Sequence, residues 1–250
     1  MQLTLIQLDN YGPWTGTLGN DREHRLQILQ ANLYSAIEQA FGDREGLVFF
    51  NRFDEMIAVS NSISVEEHGK IRRTIQEKFP ITLSMGIGVA ETPFQAQLKA
   101  SKLLQQKGSA QSPTRRSVIA SEGTVDLSES NVQLAHFDID SITQTLMDQS
   151  SAYETSLHVM ALYGELMRSF REHDALLFYL GGDNFMGITN GMSYEQIDSL
   201  LSHTMSKDLK LKCGIGMART ARKAAELAAM NLDMIRNGNV AKPILATAKL

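Results

Sequence analysis

Apolar residues in this chain fall in short runs whose order, with their polar separators, occurs twice. The run Leu3 to Leu8 opens the first half as a strand, and Val132 to Phe137 opens the second. Leu26, Leu29, Leu33, Ile37 and Phe41 then recur at the spacing of one face of an α-helix. Leu157, Met160, Gly164, Met167 and Phe170 do the same in the second half. Two strands hinged on a tight polar tip come next, spanning Leu47 to Ser60 and Leu176 to Thr189. Each half closes with a helix (around 64–79 and 193–207), a strand (81–90 and 209–218) and a last helix (93–107 and 221–236).

The halves keep register. Leu47-Val48-Phe49-Phe50 matches Leu176-Leu177-Phe178-Tyr179, Asp54 matches Asp183 and Asp9 matches Asp138, all at an offset of 129. Gly86-Ile87-Gly88 matches Gly214-Ile215-Gly216 at an offset of 128. Such self-similarity marks a duplication. The stretch from Lys107 to Asn131 is polar, so we expect a first unit over 1–115, a linker over 116–130 and a second unit over 131–250. Strand, helix, hairpin, helix, strand predicts an α+β fold of two tandem ferredoxin-like βαββαβ units. Each would be an antiparallel sheet of order 4-1-3-2 with its helices on one face. In that topology the first strand ends beside the hairpin tip, so residues 45 apart, such as Asp138 and Asp183, converge. A helix starting at the same edge would offer its unpaired N–H groups to an anion.

Composition narrows the partners. A formal net charge of −4 gives no general attraction to nucleic acid or an anionic membrane, and neither is expected to bind. The pair Arg115-Arg116 lies in the polar stretch and reads as solvated linker. The single cysteine, Cys213, excludes an intrachain disulfide and a Cys-cluster zinc site, and its apolar run suggests a small buried thiol. Neither a secretory leader nor an apolar run long enough to span a bilayer is present, so a cytoplasmic protein is expected. We also expect a homo-oligomer, dimer or tetramer.

The chemistry gathers at the converging edge. Strand 1 of the second half ends Phe137-Asp138-Ile139-Asp140, and alternate strand residues share a face. The hairpin tip is Gly181-Gly182-Asp183-Asn184, where two glycines permit a positive-φ turn. Asp138, Asp140 and Asp183 together would repel one another without a cation. Hard oxygen ligands with room for phosphate suit Mg²⁺, so these three are the expected metal ligands and catalytic residues. Any one Asp there is explained equally well by local turn chemistry. The recurrence at the first-half edge, as Asp9, Asn10, Asp54 and Glu55, favours function. Nearby residues are candidates for holding a nucleotide: Asp9, Asn10, Tyr11, Trp14, Arg52, Asp54, Asn184 and Arg219. Trp14 could stack on a purine or simply cover the core; Arg52 and Arg219 could meet phosphate or simply solvate. The two Gly-Ile-Gly runs lie in strands and suggest close packing rather than phosphate loops.

Phe-Asp-Ile-Asp with Gly-Gly-Asp-Asn at a hairpin tip resembles the palm domain of class III nucleotidyl cyclases and diguanylate cyclases. A closer resemblance, over essentially the whole chain, is to the archaeal GTP cyclohydrolase III family. It rests on Gln7-Leu8-Asp9-Asn10-Tyr11-Gly12-Pro13-Trp14, Gly46-Leu47-Val48-Phe49-Phe50, Arg52-Phe53-Asp54, Gly108-Ser109-Ala110-Gln111, Ser151-Ala152-Tyr153, Gly181-Gly182-Asp183-Asn184-Phe185-Met186, Asn190-Gly191-Met192 and Arg219-Thr220. The resemblance implies two palm units and a Mg²⁺-dependent hydrolase acting on GTP, with K⁺ as an activator. The product would be 2-amino-5-formylamino-6-ribosylamino-4(3H)-pyrimidinone 5′-phosphate with two phosphates released, feeding riboflavin and deazaflavin (F420) synthesis. A nucleotidyl or dinucleotide cyclase, and a non-catalytic nucleotide-binding palm module, share the same edge and stay open as alternatives. The expected division places metals in the second half and base or phosphate contacts in the first.

Overall fold

Both halves fold on a five-stranded sheet whose middle strand is the first in sequence. The computed structural model describes residues 1–140, 148, 150–204, 210–240 and 242–249. It forms two units, Met1–Glu91 with Gln95–Ser130, and Thr92–Phe94 with Asn131–Leu250. The first unit runs β1 (Gln2–Leu8), the one-turn helix α1 (Tyr11–Thr15), α2 (Arg22–Gly42), β2 (Leu47–Arg52), β3 (Glu55–Val59), α3 (Val65–Lys78), β4 (Leu83–Val89), α4 (Pro93–Gln105) and β5 (Ile119–Ser121). The second runs β6 (Val132–Asp140), α5 (Ala152–Glu172), β7 (Leu176–Gly181), β8 (Asn184–Ile188), α6 (Tyr194–Thr204), β9 (Lys210–Ala218), α7 (Ala221–Arg236) and β10 (Ile244–Lys249). The expected stretch of α6 beyond residue 204 lies outside the described residues.

Strand orders are β2-β3-β1-β4-β5 and β10-β9-β6-β8-β7, which contain the expected four-strand ferredoxin-like core. Three expectations need correction. First, the sheets are mixed: β5 pairs parallel with β4 and β10 parallel with β9. A helix crossing over the sheet returns the chain beside the strand it left, running the same way. Residues 116–130, expected as linker, supply that edge strand and belong to the first unit.

Second, helices cover both faces. Leu83 and Met85 join the core under α2 and α3, while Gly86 and Gly88, pointing the other way, meet α4. A Cβ at Gly88 would sit 2.0 Å from the Ala96 carbonyl oxygen, and one at Gly216 2.0 Å from that of Ala224 in α7. The Gly-Ile-Gly runs are therefore close-packing glycines, and Cys213 beside the second is fully buried.

Third, α5 is a helix but buries a different face from the one its apolar spacing suggested. Thr155, Val159, Leu162, Leu166 and Phe170 are inward, whereas Leu157, Met160 and Met167 are exposed. In α2 the expected Leu26, Leu33, Ile37 and Phe41 are buried, with Leu29 only partly so.

Under α3 lies a buried polar chain. The His68 ring donates from Nδ1 to the Ser64 carbonyl (2.7 Å), which leaves Nε2 to accept from the Thr4 hydroxyl (2.7 Å), itself 2.7 Å from Ser60 Oγ. Burial pushes the His68 pKa from 6.5 down to about 4. The unfolded chain binds a proton below pH 6.5 that the folded chain refuses until about pH 4. Stability is therefore full above pH 6.5 and falls by about 3 kcal/mol as pH drops to 4. Denaturant titrations over that window should show this slope, and His68→Gln should flatten it.

Candidate active site

The predicted convergence occurs in both units through one backbone hydrogen bond. Leu8 N–H donates to the Asp54 carbonyl at 3.0 Å, and Ile139 N–H to that of Asp183 at 3.2 Å. At the second tip Gly181 (φ 115°) and Gly182 (φ 60°) take conformations that a Cβ would resist.

Strand register changes the equivalences. Gln7 lies opposite Glu55 and Ser84, and Asp138 lies opposite Asn184 and Lys212. Asp138 thus occupies the place of Gln7, and Asp140 that of Asp9. The sequence offset of 129 set Asp9 against Asp138, but the first strands are displaced by two further residues. A two-residue slip keeps every side chain on its face, so the pattern alone did not reveal it.

In the first unit Asp9 is 3% exposed. Its Oδ1 accepts from Ser84 Oγ (2.6 Å) and Arg115 Nη2 (3.4 Å), and its Oδ2 from Thr82 Oγ1 (2.9 Å) and Ser117 N–H (2.8 Å). Four donors fill the lone pairs of this carboxylate. Arg115 is buried, not solvated linker as its neighbourhood suggested; its Nη1 also donates to Gln7 Oε1 (3.0 Å) and the Gly108 carbonyl (3.4 Å). Gln7 Nε2 donates to Glu55 Oε1 (2.6 Å), and Arg52 pairs with Glu55 (2.9 Å) and Asp54 (3.6 Å). The groups form one chain of alternating charge from the buried Asp9 to the exposed Arg52.

Beside this chain opens a cleft of about 230 Å³ lined by Gln7, Leu8, Tyr11, Gly12, Arg52, Asp54, Glu55, Ser109, Ala110 and Gln111. The Asn10 N–H donates to the Ala110 carbonyl (2.7 Å), which brings residues 109–111 to the strand end. Of the expected substrate contacts, Tyr11, Arg52 and Asp54 line the cleft and Asp9 lies behind it. Asn10 sits in a left-handed turn (φ 53°), and Trp14 packs partly buried against the core.

In the second unit, Arg236 from the end of α7 grips both Asp138 oxygens, through Nη2 (2.5 Å) and Nε (3.0 Å), and Nη2 also donates to Asn184 Oδ1 (3.0 Å). Asn184 donates to Asp183 Oδ1 (2.7 Å), and His136 Nε2 lies 3.1 Å from Asn184 Oδ1. Burial holds the His136 pKa below its ordinary value, and the bond to Asp138 raises that of Arg236. The Asp140 side chain lies outside the described residues. Among the described residues no group of three acidic or histidine side chains is arranged to hold a metal. Arg219 comes after β9, at the sheet end where β6 begins, so it is not brought to this edge. Sequence reasoning missed Arg115, Arg236, Gln7 and His136. Only an arginine's need for a buried partner could have pointed to the first two, and no local signal marks Gln7 or His136.

The family profile described as GTP cyclohydrolase III matches residues 1–249. This chain belongs to the GTP cyclohydrolase III family. The "GTP cyclohydrolase III" of Methanothermobacter thermautotrophicus is 47% identical over 239 residues, 95% of each chain. That of Methanocaldococcus jannaschii is 45% identical over 247 residues, 98% of this chain and 91% of the relative. A solved GGDEF domain of DgcB from Caulobacter crescentus covers 47% of this chain and 78% of its own at 14% identity and TM-score 0.37, a likeness too slight to build on. The cleft-lining Tyr11-Gly12 and Ser109-Ala110-Gln111 segments and the Gly-Gly-Asp-Asn tip therefore sit within a family-length match.

The buried pair makes a direct test. Arg115→Met leaves Asp9 a buried carboxylate short of its counter-charge and should cost about 3 kcal/mol in urea unfolding. Arg116→Met, exposed one residue on, should change stability by less than about 0.5 kcal/mol.

Proposed function

We propose that the chain hydrolyses GTP to 2-amino-5-formylamino-6-ribosylamino-4(3H)-pyrimidinone 5′-phosphate and two phosphates. The observation that carries the reading is the match of residues 1–249 to GTP cyclohydrolase III, with the cleft built from the segments that resemble that family. One water cleaves each phosphoanhydride, and one adds at C8 so that the C8–N9 bond opens and the formyl group stays on N7. Cleft chemistry suits part of a nucleotide, its volume lying below the roughly 300–1,000 Å³ of a whole drug-sized site. The Asp54 carboxylate can accept the paired N1–H and N2–H donors that separate guanine from adenine. Tyr11 offers a ring to the base, and Arg52 a forked donor to phosphate oxygens.

Mg²⁺ fits the second edge in kind. Asp138 and Asp183 are hard oxygen donors, and the guanidinium already gripping Asp138 shows that this edge takes a positive charge. We assign Asp138, Asp140 and Asp183 as the residues that would hold the ion, which would take the place of the Arg236 guanidinium at Asp138. When bound, the ion would neutralise phosphate charge and lower the pKa of a coordinated water. K⁺ as activator, supply of riboflavin and F420 synthesis, and a cytoplasmic location belong to the same proposal. Among the described residues no helix is long and apolar enough to cross a membrane.

Mass spectrometry of the product from GTP and Mg²⁺ decides the reaction. We expect the ring-opened, formyl-retaining monophosphate with orthophosphate; a cyclic nucleotide with pyrophosphate would mean a cyclase, and unchanged GTP a binding module. Two variants then separate the roles. Asp183→Asn should lower kcat by about 10²–10³ and shift the Mg²⁺ dependence upward. Asp54→Asn should chiefly raise KM for GTP. The reverse outcome would move the metal to the first half.

A further inference from the structure

On the side of β6 that meets α7, the strand carries a histidine one step before the acidic edge. His136 lies opposite Gly214, whose missing side chain would run into α7. Val132 and Leu134 precede it on that side, both fully buried, and Asp138 follows.

The duplication supplies a control. His136 pairs across to Met186 and Gly214, and Leu5 to Ile57 and Gly86, so Leu5 holds the same place in the first unit. Leu5 is buried, and an aliphatic side chain fills the position without strain on the fold. A histidine is not needed there for packing.

What differs is the neighbour at the hairpin. The first unit has Glu55 where the second has Asn184. A carboxylate presents an oxygen whichever way it turns, so nothing has to orient it. A carboxamide has an accepting end and a donating end. In this structure Asn184 Nδ2 donates to Asp183 Oδ1 (2.7 Å), while Asn184 Oδ1 accepts from Arg236 Nη2 (3.0 Å) and lies 3.1 Å from His136 Nε2. Turned over, the amide would set its oxygen against the Asp183 carboxylate and its NH₂ against the guanidinium.

That orientation fixes the tautomer. Facing an oxygen that can only accept, His136 Nε2 carries the proton and donates it. Its Nδ1 is buried and has no hydrogen-bond partner among the described residues. Burial also holds the ring's pKa below its ordinary value, which keeps the ring neutral. Two donors therefore hold the Asn184 oxygen, and the ion assigned to this edge would displace one of them, Arg236. His136 is then the donor left, among the described residues, to tell the two ends of the amide apart.

We propose that His136 is a positioning residue: its Nε2–H holds the Asn184 carboxamide with the NH₂ toward Asp183, and so keeps the Asp183 carboxylate turned to receive the cation. This inference rests on the assignment of the ion to the second edge. Groups that orient a metal ligand from behind change affinity by about 10–100-fold, and His136 acts through one intervening side chain, so the effect should be about tenfold.

Mg²⁺ titration of the metal-free full chain, followed by NMR at the Gly182 and Asn184 backbone amides, tests this, with circular dichroism confirming each variant's fold. His136→Leu, which copies the first unit, should weaken Mg²⁺ binding about tenfold. His136→Gln, whose side-chain NH₂ can reach the same oxygen, should bind like the parent. Nitrogen-15 shifts of the metal-free parent should show the His136 proton on Nε2. A leucine variant that binds Mg²⁺ as the parent does, a glutamine variant as weak as the leucine one, or a ring protonated on Nδ1 would overturn the proposal. Asp183→Asn separates this from the metal assignment. Unchanged Mg²⁺ binding in that variant would sink the assignment and the proposal together, whereas unchanged binding in His136→Leu alone would sink only the proposal.

Discussion

A carbonyl oxygen of α7 lies 2.0 Å from where a β-carbon of residue 216 would be, and another 2.1 Å from where one of residue 214 would be. The same contact recurs between α4 and residues 86 and 88. Much else in each unit depends on this near-touch of helix and strand backbones. It lets a third helix lie flat on the face that a bare βαββαβ unit would leave open. Lying flat, the helix carries the chain back along the sheet toward the end where strand 1 stops. Any side chain at those glycines would lift the helix and pull the returning chain away from that edge.

The returning chain delivers an arginine. In the first unit the segment after α4 returns Arg115 to Asp9; in the second, α7 itself ends on Arg236 at Asp138. The two are not sequence equivalents, nor are the aspartates they meet, yet each neutralises a carboxylate at the same edge. A buried carboxylate without a counter-charge is costly, so the fold supplies one wherever it places the acid. The pairs differ in burial: Arg115 is almost fully enclosed, whereas a third of the Arg236 side chain is exposed. A partly exposed guanidinium gives up its partner at less cost than an enclosed one. That contrast fits the proposed division of roles, in which the enclosed first edge is structural and the more open second edge would exchange its guanidinium for a cation.

Duplication lets one half be compared with the other. Hairpins keep an offset of 129 and the strands β4 and β9 one of 128, but strand pairing sets the first strands 131 apart, with Gln7 and Asp138 opposite Glu55 and Asn184. Helices α2 and α5 bury corresponding faces and differ outside them. Differences on a shared framework are where separate roles have room to arise.

Local pattern was enough for much of this. Hydrophobic periodicity placed the strands and helices, the paired glycines placed the second tip, and the βαββαβ order brought Asp138 and Asp183 to one edge. These depend on residues a few positions apart or on a topology with few alternatives. Other features rest on contacts between distant residues. Leu157, Met160 and Met167 have the spacing of a core face as good as that of Val159, Leu162 and Leu166, and the sheet beneath chose between them. Arg115 looks like linker until β5 pairs with β4 and carries it inward. The two-residue displacement of β6 leaves the alternation of faces untouched, so nothing along the chain registers it. Spacing along a chain carries periodicity; which surface is covered, and by what, depends on partners that lie far away in sequence.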